Sequence, residues 1–156
     1  MKNLIKSAFS PLNLAGLLAW GAIGWELLAA DSGAPAWRST PVPDALLFAL
    51  HLLFLLLFLW PGKNRALVLG QLAVALGLML LSRSSSLPIL LIIVMAQVVQ
   101  LWSVRMAVVL FIVVNALVCG IFAYVWRYSS PVITSLMYMS FQGFAAMTSW
   151  YAFSAE

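Results

Sequence analysis

Apolar residues run along this chain in six long blocks, at 12–30, 44–60, 66–82, 87–103, 106–126 and 132–153, separated by short polar or proline-bearing gaps. A helix needs about 20 residues to cross a hydrocarbon core, with a range of about 17–25. Each block is about one crossing long, so the pattern predicts six transmembrane helices. The gaps carry turn chemistry. Residues 31–44 hold Asp31, Pro35, Pro41, Pro43 and Asp44 and form the one sizeable loop. Pro61 to Arg65 reads as a turn with two positive charges, Lys63 and Arg65. Ser82 to Ser86 and then Pro88 place a proline in the first turn of the next helix, and Arg127 to Pro131 repeats that logic. Residues 87–126 are too long for one crossing, and only Ser103 and Arg105 mark their middle. Two helices joined by a very tight turn are expected there; a single helix would move the C-terminus to the other side.

Composition agrees with the pattern. The chain has 156 residues, 65% hydrophobic and 8% charged, with mean hydropathy +1.08. A water-soluble domain is about half apolar and about a quarter charged. The expected fold class is all-α: a polytopic transmembrane helical bundle, one domain over residues 1–156, with six spans. It leaves no room for a soluble catalytic domain. Lys2 and Lys6 ahead of the first block resemble the start of a signal peptide, but that block is long enough to span and five more follow. Retention as the first helix is expected.

A net charge of +4 and a pI near 9.7 might suggest nucleic acid. The basic residues sit singly in the gaps rather than on one face, so they read as topology signals and nucleic acid is not an expected partner. With the N-terminus inside, Lys2, Lys6, Lys63, Arg65 and Arg105 face the cytoplasm, and Arg38, Arg83 and Arg127 face outward. That excess favours an N-in/C-in bundle. Trp60, Trp102, Trp150 and Tyr151 then fall at inner ends, and Trp37, Trp126 and Tyr128 at outer ends.

Spans two, three and four are short. At 1.5 Å per residue, 16–17 residues cover only about 24–26 Å of a core about 30 Å thick. Either the helix boundaries are loose or the bilayer is thin, or the mismatch is itself sensed. Span two is mainly Leu and Phe and suits a lipid-facing position. Spans one, three, five and six carry small pairs four apart, Ala15/Ala19, Ala73/Gly77, Ala116/Gly120 and Ala145/Ser149, which let backbones approach closely.

Polar groups inside the membrane are the candidate functional residues, because each is costly in lipid unless paired. Gln97, Asn115 and Gln142 all count to mid-membrane depth, on spans four, five and six. They predict one layer of interhelical amide bonds, serving as bundle glue or as a relay that changes pairing between two states. His51, the lone histidine, lies on span two at nearly the depth of Glu26 on span one, so a Glu26–His51 contact is possible; Glu26 is equally suited to headgroup water. Such a pair could titrate near neutral pH. Gln71 and Gln100 count nearer the inner face, where water or their own helix would satisfy them. One histidine and one cysteine, Cys119, make no disulfide and no metal set. No P-loop, zinc spacing, nucleophile elbow or dinucleotide fingerprint appears, and no two carboxylates are placed for acid–base work. No catalytic, cofactor or metal residue is expected within these residues.

The last block runs past Trp150 and Tyr151 to Ser154, Ala155 and Glu156 without a capping Gly, Asn or Pro, as if a polar helix continued into the cytoplasm. Within it, Phe141-Gln142-Gly143-Phe144-Ala145-Ala146 followed by Trp150-Tyr151-Ala152 resembles the last transmembrane helix of DesK-type sensor histidine kinases. The resemblance covers about fifteen residues, and the loop-poor multi-span plan resembles that family's membrane sensor. It implies a sensor that passes a bilayer, lipophilic-ligand or partner-membrane-protein signal through the last helix to a cytoplasmic kinase. It also implies a homodimer, a cognate response regulator, and ATP with Mg²⁺ in a kinase part lying beyond Glu156. No family catalytic residue maps onto this chain; His51 is intramembrane and cannot be the phospho-acceptor. The alternative is a complete small transporter or an accessory subunit of a membrane complex. A transporter would need a hydrated path through the same amides, and usually internal repeats, which the chain does not show.

Overall fold

The computed structural model describes residues 11–29 and 42–155; Lys2, Lys6, Trp37, Arg38 and most of the 31–44 loop lie outside them. The described residues are all-helical, with 83% in six helices and no strand among them. The helices are α1 (Pro11–Ala29), α2 (Asp44–Leu59), α3 (Arg65–Leu81), α4 (Ile89–Leu101), α5 (Val104–Gly120) and α6 (Pro131–Ser154). A π-helical turn, Ile121–Val125, continues α5.

Local chemistry sets the boundaries. The Asn64 side chain accepts from the Leu67 N–H at 2.9 Å and caps α3. Pro131 stands in the first turn of α6, where its missing N–H costs nothing. Trp102 and Ser103 are both extended, and those two residues are the whole connection between α4 and α5. The π turn closes with the Trp126 N–H on the Ile121 carbonyl at 2.8 Å. Arg127 then takes a positive φ of 52° and ends the helix. That conformation costs an L-residue roughly 1–2 kcal/mol.

Contacts between helix ends show a strict up-and-down order. At one end, Lys63 donates to Asn13, Arg65 donates to the Leu101 carbonyl, and Gln100 donates to Ser149. At the other end, Ser84 donates to Glu26, Tyr138 donates to the Ser85 carbonyl, and Arg83 lies over the Tyr128 ring. The start of α1 and the end of α6 therefore lie at the same end of the bundle, called below the Lys63 end.

The centre of the bundle is α4, where Leu90, Leu91 and every residue from Ile93 to Val98 are buried. Small-residue spacing pointed elsewhere, to spans one, three, five and six. On α5 only Ala107, Val114, Asn115 and Val118 are buried, and Ala116 is exposed. A Cβ added at Gly77 or Gly120 would meet nothing within 4 Å, so neither glycine marks a close approach. The close approaches are elsewhere: a Cβ on Gly16 would lie 2.7 Å from the Phe58 ring, and one on Gly24 would lie 2.9 Å from His51. Trp126 is not an interfacial belt residue either. It is 1% exposed, and its indole N–H donates to the Met79 carbonyl at 2.8 Å.

Helix length also departs from expectation. Residues 85–88 form a turn, so α4 has only 13 residues instead of the expected 17. At 1.5 Å per residue it spans about 20 Å. α2 has 16 residues and α3 has 17. Among the described residues one helix, Val104–Val125, is both long and apolar enough to cross a membrane, with 22 residues and a hydropathy of 2.7. α6 is longer, at 24 residues, but Ser, Thr and Gln dilute its apolar run.

Candidate functional site

Gln97, Asn115 and Gln142 do not form one layer. With Gln71 they form two pairs at two levels. Gln97 on α4 pairs with Gln71 on α3: the Gln97 amide N–H donates to Gln71 Oε1 at 2.8 Å, and the Gln71 N–H returns a bond at 3.4 Å. The Gln71 N–H also reaches the Leu57 carbonyl, and that of Gln97 the Ile93 carbonyl. The sequence left Gln71 to water or to its own helix; it is 1% exposed and bonded across to α4. Gln97 lies four residues before the end of α4 and Gln71 six residues after the start of the antiparallel α3, so the two stand side by side.

Asn115 and Gln142 form the second pair, between α5 and α6. Asn115 Nδ2 donates to Gln142 Oε1 at 2.9 Å and to the Phe111 carbonyl at 2.8 Å. This pair is half made. Asn115 Oδ1, an acceptor, and Gln142 Nε2, a donor, are both buried without a partner. Gln142 is 0% exposed and Asn115 is 6% exposed, so water does not satisfy them from outside. A buried polar atom left unpartnered costs about 1–3 kcal/mol.

His51 and Glu26 are not paired. His51 is fully buried and clasps Trp20 on α1. The Trp20 indole N–H donates to the His51 carbonyl at 2.9 Å, and His51 Nε2 lies 3.0 Å from the Trp20 carbonyl. A carbonyl can only accept, so Nε2 carries a proton. The two rings stack at 4.6 Å with 4° between their planes. His51 Nδ1 faces no partner. The clasp needs Gly24 on α1, where the imidazole fills the space a Cβ would take. Neither Trp20 nor Gly24 stands out in the sequence; the small pair that does on α1, Ala15/Ala19, is not what the histidine packs on.

Glu26 serves the opposite end of the bundle from Lys63. Its Oε1 accepts from Ser84 at 3.0 Å and from Ser85 at 3.4 Å, and Ser84 also contacts Ser86 at 3.1 Å. The Tyr138 hydroxyl donates to the Ser85 carbonyl at 2.5 Å. Nearby, Phe122 touches the rings of Trp126, Tyr128 and Tyr138. Burial pushes the Tyr128 hydroxyl above its ordinary range; the Arg83 charge opposes this and the Glu26 charge adds to it. These contacts tie α1, the α3–α4 turn, the end of α5 and the start of α6 together.

The Lys63 end is organised differently. Lys63 lies over the Phe58 ring at 5.4 Å, and Arg65 over the Trp102 ring at 5.7 Å. Burial holds the Lys63 ammonium below its ordinary range. The Ser149 hydroxyl on α6 bonds the Ala96 carbonyl at 2.6 Å and accepts from Gln100 at 2.7 Å, which fixes α6 to α4. Ser149 is the one member of the four expected small pairs that makes a buried polar contact across helices. α5 takes no part in these bonds.

Chemically, the arrangement holds helices to one another. Its polar side chains make interhelical bonds, and no group of three or more His, Cys, Asp or Glu side chains gathers as a metal site among the described residues. In comparisons with known protein families, curated proteins and solved structures, no match was found.

Proposed function

We propose that this chain is the membrane-embedded sensor part of a DesK-type two-component histidine kinase, a six-span bundle in a bacterial cytoplasmic membrane with both ends inside. The membrane reading is supported by what the bundle turns outward. Leu18, Trp25, Leu56, Ile112, Ile133 and Phe144, from four different helices, are all more than half exposed. A water-soluble bundle covers its outer faces with polar residues. The three short helices would thin the bilayer around them or draw flanking residues toward the headgroups.

The observation that carries the sensor reading is the half-made Asn115–Gln142 pair, which joins α5 to the last helix. Its unused donor and unused acceptor are complementary, so a second packing with both bonds made is available to the same two side chains. A bond of this kind in a membrane is worth about 0.6–1.7 kcal/mol, or roughly a 3- to 18-fold shift between two packings. α6 would carry that shift toward a cytoplasmic kinase beyond Glu156, where ATP, Mg²⁺ and a response regulator would act, in a homodimer. Bilayer order, a lipophilic ligand or a partner membrane protein would set the balance. The competing transporter reading needs a hydrated path, and the amides that would line it are closed on one another at 0–6% exposure.

The test is Gln142→Leu in the full-length protein, with output read from a response-regulator reporter and insertion checked by membrane fractionation. Output should shift severalfold with insertion intact; unchanged output would overturn the reading. The reading frame after Glu156 gives a second check: a stop codon there favours the transporter or accessory-subunit alternative.

A further inference from the structure

The Lys63 end of the bundle carries an apolar groove of about 400 Å³ between α4, α5 and α6. Val98 of α4, Ala107 and Phe111 of α5, and Gly143, Ala146 and Trp150 of α6 line it. No charged residue lines it. The volume falls in the range of small-molecule sites, about 300–1,000 Å³. From Val104 to Phe111, and from Gly143 to Tyr151, the walls run about 10–12 Å along the helix axes. That is most of one leaflet's hydrocarbon, about 15 Å.

The charges at this end fit one kind of occupant. Arg105, exposed and next in the chain to Val104 at the groove's edge, makes no hydrogen bond or ion pair among the described residues. Lys63 and Arg65 lie at the same end, where Lys63 meets Asn13 and Arg65 meets Leu101. The described carboxylates, Asp44 at the start of α2 and Glu26 near the end of α1, lie at the opposite end. We propose that the groove binds one acyl chain of an anionic phospholipid from the leaflet at the Lys63 end, with its phosphate on Arg105. The proposal rests on the membrane reading above but not on the kinase reading. The inner part of the groove is Phe111, whose carbonyl Asn115 holds, and Gly143, which follows Gln142. The chain end of the lipid therefore lies beside the half-made amide pair, and its length and unsaturation become variables that pair can feel.

Filling the groove tests this. A Cβ on Gly143 would meet Phe111 at 3.8 Å, an ordinary contact, so Gly143→Leu projects into the groove without a backbone clash. The full chain is reconstituted in nanodiscs of equal phosphatidylglycerol and phosphatidylcholine, released into mild detergent, and weighed by native mass spectrometry. The native protein should retain one phospholipid per chain, with phosphatidylglycerol preferred. Displacing the length of about two methylenes in Gly143→Leu should lower retention about tenfold. Arg105→Gln should keep the lipid and lose the headgroup preference. Equal retention by Gly143→Leu would overturn the proposal. So would a groove that closes around a second copy, seen as a dimer without lipid that Gly143→Leu dissociates. Should Gly143→Leu fail to insert, phosphatidylglycerol with a mid-chain diazirine decides on the native protein: crosslinks to α5 and α6 around Phe111 and Gly143 support the site, and crosslinks spread over the outer surface overturn it. Failure of the membrane reading shows separately, as native protein that washes off membranes in carbonate.

Discussion

Gly24→Ala adds one methyl group where the His51 ring lies against α1, and two opposing effects decide the outcome. Alanine is the better helix former by roughly 0.5–1 kcal/mol, which favours the variant. Against that, the new Cβ would lie 2.9 Å from His51 Nε2 and 3.2 Å from Cδ2. The ring meets that Cβ with its Nε2–Cδ2 edge while it stacks on Trp20 at 4.6 Å, so it cannot move away without disturbing the stack and the Nε2 bond. Rotating it away breaks the Nε2 bond to the Trp20 carbonyl and leaves a fully buried N–H orphaned, at about 1–3 kcal/mol. Losing the parallel stack costs about 0.5–1.5 kcal/mol more. The clash therefore wins, with a net loss of about 1–3 kcal/mol. Gly21→Ala on the same helix is the control: its Cβ meets nothing within 4 Å, so it should gain up to about 1 kcal/mol from helix propensity alone. Reversible unfolding in mixed micelles, read by tryptophan fluorescence, gives both values. In a His51→Ala background the Gly24→Ala penalty should disappear, since the two changes share one contact. A Gly24→Ala protein as stable as Gly21→Ala would refute the clasp as the origin of α1–α2 packing.

Two further outcomes follow from the amides and from Lys63. Gln97→Leu leaves Gln71 buried with its best partner gone and should cost about 1–3 kcal/mol; the Gln71→Leu/Gln97→Leu double variant should recover most of that loss, and additive losses in the same unfolding assay would contradict a reciprocal pair. Burial holds Lys63 below the ordinary lysine range, so the cost of its buried charge is fully present at low pH and is relieved as pH rises through the lowered value toward that range. The stability of native protein relative to Lys63→Met should therefore rise with pH in that window. Tyr128, shifted upward, acts in the opposite sense but is common to both proteins; a flat difference would contradict the desolvated Lys63.

How much of this was legible depends on which physical signal each feature leaves in a sequence. Helix existence was legible, because apolar blocks and proline-bearing gaps state it directly: the Pro131 start of α6 and the Asn64 cap of α3 are one-residue signals. The partner of each amide was not. Counted from the outer end of its block Gln97 reaches mid-depth, but counted from the inner end it is six residues in, beside Gln71 at five, and that second count is the one its partner follows. Glu26 and His51 share a depth, yet equal depth says nothing about azimuth around a helix. His51 faces Trp20 and Gly24, while Glu26 turns to Ser84. Small residues four apart were a poor guide for a related reason. Such a pair permits close approach without causing it, and the glycines that matter, Gly16 and Gly24, are eight apart and opposed by single rings, Phe58 and His51.

The asymmetry between the two ends explains why one amide pair is complete and the other is not. At the Glu26 end, α5 is tied down by its π turn, by Trp126 on the Met79 carbonyl, and by Phe122 among three rings, and α6 starts there with Tyr138 on Ser85. At the Lys63 end, α6 is bonded to α4 through Ser149, while α5 departs from a two-residue turn and leaves the groove beside it. Asn115 lies eleven residues after the start of α5 and Gln142 eleven after the start of α6, between the tied end and the groove, and one amide bond joins them. Gln71 and Gln97 make both of theirs. A change in the gap at the Lys63 end therefore acts on the Asn115–Gln142 pair first, and the Gln71–Gln97 pair holds the rest of the bundle in register while it does.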